Sequence, residues 1–137
     1  MNVIELTRQV GKALQEDERY KRYHEAKKKN DEDTELQQDI SEFHAIKMMI
    51  NMEEGKADCD RERVKKLNSD LTAMFTKVTQ NPNMVAYEEA RSAMDELLAS
   101  VNYIVTASAN GQDPMTVSET PPSACSPGGC AGCSGCG

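Results

Sequence analysis

Apolar side chains return every three or four positions through most of the first 109 residues, which predicts helices that each bury one stripe. Val3, Leu6, Val10 and Leu14 set the spacing of a first helix. The segment EDERYKRYHEAKKKN continues it past a bend expected near Glu16 and Asp17, with Tyr20, Tyr23 and Ala26 or Lys27 on one face, and Asn30 and Asp31 end it. Asp33 or Thr34 can cap a second helix whose inward face is Leu36, Ile40, Phe43, Ile46 or Lys47, and Ile50, with Gly55 as its stop. The cleanest pattern, Val64, Leu67, Leu71, Met74 and Val78, marks a third helix from about Asp60 to Thr79. Asn81 as N-cap and Pro82 at the first helical position open a fourth. It runs to about Ala109, with Met94, Leu97, Leu98, Val101, Ile104 and Val105 expected to face inward.

The pattern therefore predicts an all-α fold: an elongated bundle of about four long helices paired as helical hairpins. The last helix would span roughly 42 Å at ~1.5 Å per residue, whereas a compact 100-residue domain has a radius of gyration of only ~13 Å. Stripes this narrow predict a homo-oligomer, a dimer or higher.

Composition changes at Asn110. Residues 1–110 hold one proline and two glycines, whereas residues 111–137 hold four prolines, six glycines and no Lys or Arg. The boundary divides a helical domain, 1–110, from a flexible Cys/Gly-rich tail, 111–137. The net charge of −7 argues against direct nucleic-acid binding through an overall field. No basic-then-apolar leader opens the chain, and no apolar run approaches the ~20 residues a membrane helix needs, so a cytoplasmic location without membrane contact is expected.

The tail carries the candidate chemistry. Cys125, Cys130, Cys133 and Cys136 form C-x4-C-x2-C-x2-C among Gly, Ser, Ala and Pro, side chains too small to build a core around the thiols. In a reducing compartment such clusters are metal ligands or redox thiols rather than structural disulfides. The C-x2-C-x2-C run fits three corners of a 4Fe–4S cube with Cys125 reaching the fourth, and C-x4-C-x2-C matches plant-type 2Fe–2S spacing. Zinc also takes four thiolates, although its usual sites separate two Cys pairs by a longer loop. Thiols without any fixed ligand stay open as well. Cys59, far away at a helix start, reads as a bystander.

The run EDERYKRYHEAKKKNDEDTELQQDISEFHAIK, followed by QNPNMVAYEEARSAMDELLASVNYIV, resembles the YlbF/YmcA family of small bacterial helical proteins. The Tyr20-x-x-Tyr23-x-x-Ala26 helix with its acidic turn and the Leu36 helix is the most specific part. The NP turn and the segment from Val101 to Ile104 support it. The resemblance implies a non-enzymatic regulatory adaptor that assembles with itself or with related family members. It implies iron–sulfur clusters of the 4Fe–4S type on cysteines near the chain ends, and action with ribonuclease Y in messenger RNA processing, with effects on competence, biofilm formation and sporulation. The family's C-terminal ligands would fall on Cys125, Cys130, Cys133 and Cys136. Here one tail holds all four thiols, so sharing a cluster between subunits does not carry over automatically.

Other features point elsewhere only weakly. Arg19, Lys21, Arg22 and Lys27 to Lys29 interleave with tyrosines as an RNA patch would, but Glu16, Asp17, Glu18 and Glu25 intervene, favouring a solvated helix with buried tyrosines. His24 and His44 lack clustered ligand partners. Met48, Met49, Met52, Met74 and Met94 are expected in the core or at subunit interfaces. No phosphate loop, nucleophile elbow or HExxH-type pair appears, so an enzyme has no residues to stand on. Two rivals remain: a metal-free or zinc-binding interaction protein with redox-active thiols, and a ribosomal peptide precursor with Gly128 and Gly129 ahead of a Cys-rich core.

Overall fold

The computed structural model describes residues 1–122, and every regular element among them is a helix. The order is α1 (Val3–Glu16), α2 (Glu18–Glu32), α3 (Thr34–Glu54), α4 (Arg61–Gln80) and α5 (Pro82–Ala109). One structural unit is Met1–Met94, and the other begins at Asp95.

Five helices replace the expected four because the bend at Asp17 is a complete break. Asp17 is extended (φ −72°, ψ 142°), closing α1 and capping α2. Its carboxylate accepts the Arg19 backbone N–H at 2.8 Å and the Arg19 guanidinium Nε–H and Nη2–H at 2.9 Å each. These bonds hold the carboxyl at a pKa of about 2, the Arg19 side-chain hydrogen bonds being the main cause. An N-cap carboxylate tied to its own second residue stabilises a new helix start better than a continued one.

In the first unit α3 and α4 pack as an antiparallel hairpin. Glu53 lies beside Arg63, Phe43 beside Phe75, and Asp39 beside Lys77, one number falling as the other rises. The expected boundaries hold: Asp33 caps α3 through the Leu36 N–H, Asp60 caps α4, and Gly55 closes α3. Asn81 accepts the N–H groups of Asn83 and Met84, with Pro82 opening α5. Across from them, Tyr23 and Asn30 of α2 meet Tyr87 and Met84 of α5, again antiparallel.

The core of this unit is thin. Ala26, Leu36, Ile46, Ile50 and Ala90 are its buried apolar residues, and Leu36 alone is sealed completely. Polar side chains are buried beside them, each with a partner. Asn30 accepts from Gln37 at 3.0 Å, and Asp39 accepts from Lys77 at 3.0 Å. Glu53 takes the Asp60 N–H at 3.0 Å and Lys56 Nζ at 3.1 Å, which hold its carboxyl below the usual range, and stitches the α3–α4 loop shut. Asp33 accepts from the side chains of both Asn81 and Asn83, pinning the α2–α3 turn to the α4–α5 turn.

Two expectations about the apolar residues change. Met48, Met49 and Met52, expected in the core or at subunit interfaces, are exposed on α3, which rules out the core for them. Leu98 and Val105 face outward, because each follows an inward residue, Leu97 or Ile104, and so sits ~100° around the helix. Among the described residues of the second unit the buried position goes to Ala107. There α5 ends in a Schellman motif: Gln112 N–H bonds Ala107 O at 3.0 Å, Gly111 N–H bonds Ser108 O at 3.0 Å, and Gly111 takes φ +93°. Helix α1 buries none of its stripe.

Candidate functional site

The four tail thiols, Cys125, Cys130, Cys133 and Cys136, lie outside the described residues. Among the described residues no group of three or more His, Cys, Asp or Glu side chains could hold a metal ion. Cys59 is a half-buried free thiol. The tail's donor set, four thiols separated by small residues, is one whose chemistry would suit an iron–sulfur cluster.

The described part contributes surfaces. Helices α3, α4 and the start of α5 enclose an open apolar groove of about 570 Å³ floored by Ile40, Phe43, Phe75, Val78, Met84 and Val85. Asp33 positions it: by holding Asn81 and Asn83 it fixes where α5 leaves the α3–α4 hairpin. The chain's two phenylalanines meet there, ring centroids 6.1 Å apart, with Lys47 Nζ 5.5 Å from the Phe43 centroid. His44 leans edge-on against Phe43 at 5.7 Å, and Glu88 and Glu89 form the polar rim. Sequence reading assigned these residues to helix faces without finding the groove. The available signal was that two scarce aromatics occupy matching levels of a predicted hairpin.

The basic stretch of α2 is a solvated face, as expected. Lys21 pairs with Glu18, Lys29 with Glu25 and Lys28 with Glu32, each bridge exposed on both sides. Exposed i,i+3 and i,i+4 pairs of this kind are worth little individually, and here they cancel the charge a phosphate backbone would require. The tyrosines are half-buried: Tyr20 stacks on His24 at 4.2 Å and Tyr23 on Tyr87 at 5.8 Å. Hydrogen bonding to Tyr23, with burial second, pushes the Tyr87 hydroxyl above its ordinary value. His24 and His44 are exposed imidazoles, His24 lying against Tyr20 and Tyr23 and His44 against Phe43. No helix among the described residues is long and apolar enough to cross a membrane.

Comparison with known proteins matches residues 3–109 to the family model described as "Control of competence regulator ComK, YlbF/YmcA". A UPF0342 protein of Caldicellulosiruptor bescii is 25% identical over 114 residues, covering 83% of this chain and 93% of that protein. No solved structure gives a significant match.

Proposed function

The chain belongs to the YlbF/YmcA family of competence regulators, and on that premise we propose that it is a non-enzymatic adaptor whose cysteine tail holds an iron–sulfur cluster. The observation that carries the reading is a division of labour in one short chain. A helical scaffold that spans the family match bears exposed apolar surface, and four thiolate donors follow it directly.

Cys125, Cys130, Cys133 and Cys136 would supply the ligands, with 4Fe–4S as the cluster type and 2Fe–2S or zinc as the alternatives the spacing admits. A bound cluster supplies one-electron chemistry and sensitivity to iron supply and oxidants. The tail thiols must lose their protons to ligate, which makes metal occupancy depend on pH. The scaffold would bind itself, related family members and ribonuclease Y, so that occupancy of the tail alters which partner surface is presented. Capture on the tagged full-length chain tests this. Ribonuclease Y should co-purify with the wild type and fall sharply with a variant carrying Ser at all four tail cysteines. Equal recovery from both, or none from either, contradicts the reading.

A further inference from the structure

We propose that a second groove, between α3 and α4 alone, is the docking site for a basic amphipathic helix of a partner protein. The inference rests on the adaptor reading above and gives that scaffold a surface and a partner chemistry. The cysteine tail has no part in it.

The groove lies wholly in the first unit and encloses about 500 Å³. Ile46 and Met49 of α3 and Leu67 and Met74 of α4 form its floor. Spacings of i, i+3 and i, i+7 put each pair along one face of its helix. The crest of α3 continues the apolar surface, with Met48 64%, Met49 45% and Met52 69% exposed. Unbranched thioethers re-pack around apolar side chains of different shape, which suits a surface that receives a helix.

Charge selects the occupant. Glu42 and Asp70 stand on the rim, both exposed, and among the described residues neither joins an ion pair or accepts a side-chain hydrogen bond. Lys77 is the one cation lining the groove, and it is already held by Asp39 at 3.0 Å and Glu35 at 3.7 Å. The rim is therefore net negative, and α3 as a whole sets Glu35, Asp39, Glu42, Glu53 and Glu54 against Lys47 alone. A helix with cations flanking an apolar row meets both the floor and the field, whereas an acidic helix is repelled.

A second copy offers no such helix. Helix α1 balances Arg8 and Lys12 with Glu5 and Glu16, and α5 carries more acids than cations. Helix α4 builds the groove itself. In α2, Arg19, Lys21, Lys28 and Lys29 are already paired with acids of their own chain, and Ala26 is buried. At a net charge of −7 the chain is also repelled by its own copies at long range, and a basic partner is drawn in.

Fluorescence polarisation on the full-length chain tests the docking with a synthetic probe. The probe is a fluorescein-labelled helix of about five turns, with Leu at i, i+3, i+4 and i+7 and Lys elsewhere; a control replaces every Lys by Glu. The Lys helix should bind at least about 10-fold more tightly than the Glu helix. E42K/D70K should abolish that preference. E88K/E89K, the same charge change on the rim of the other groove, should leave it intact. M49S removes floor and no charge, and should weaken the Lys helix at least about 5-fold. All five positions are exposed, so helicity should not change. No preference for the Lys helix, equal loss in both charge variants or undiminished binding to M49S would each overturn the docking. Sedimentation of E42K/D70K decides the remaining occupant: an unchanged mass supports a partner's helix, and a changed mass gives the groove to a second copy and overturns the proposal. The probe is independent of ribonuclease Y, so a bound probe beside a failed capture keeps the groove and removes that partner.

Discussion

Asp17 shows how one side chain decides an element boundary. Periodicity favours one helix through residues 3–31, yet the Asp17 carboxylate, bonded to the backbone and guanidinium of Arg19, divides it. Its folded pKa of about 2 lies below the ordinary aspartate value of about 3.9. The junction is therefore fully stabilised above pH ~4 and loses that support as pH falls through ~2. The Arg19 amide resonance, followed by NMR from pH 5 to 1.5, should titrate with a midpoint near 2. A midpoint at the ordinary aspartate value would mean that the carboxylate does not make these bonds. At the other extreme of burial, Leu36→Ala should cost about 2–5 kcal/mol in denaturant unfolding, because Leu36 is the one large side chain among the described residues that is fully enclosed. Val105→Ala, at a position 64% exposed, should stay within about 0.5 kcal/mol. Equal effects would show that Val105 faces the core after all.

Among the elements, helix ends were more legible than helix faces. Asp33, Asp60, Asn81 with Pro82, and Gly55 all act where their chemistry placed them, because capping depends on residues within one turn. Whether a stripe is covered depends on residues far along the chain, which periodicity does not report. Thus the α1 stripe is real but uncovered, and Met48, Met49 and Met52 are helical yet exposed. The groove was hidden for the same reason: Phe43 and Phe75 converge only once α3 and α4 pair. The Schellman end of α5 allows a test at this scale. Gly111 at φ +93° is strained by any side chain, so Gly111→Ala should cost about 1 kcal/mol or more, read as a lower thermal midpoint. A neutral result would place Gly111 outside the left-handed region.

For the molecule as a whole, a scaffold with a single fully enclosed large side chain among the described residues and many exposed apolar ones is poorly suited to working alone. The sequence announced its helices, its family resemblance and its four clustered thiols. The described residues neither add to nor subtract from the thiol set, since the tail begins its cysteine run at Cys125 and metal-capable clusters are absent from residues 1–122. The central claim is that this tail makes a helical regulator responsive to iron or redox state. Iron and acid-labile sulfide, measured on anaerobically purified full-length protein beside the variant with Ser at all four tail cysteines, test it most directly. The account predicts a brown protein containing both elements, and a colourless variant with neither. Iron and sulfide absent from the wild type, or retained undiminished in the variant, would contradict it.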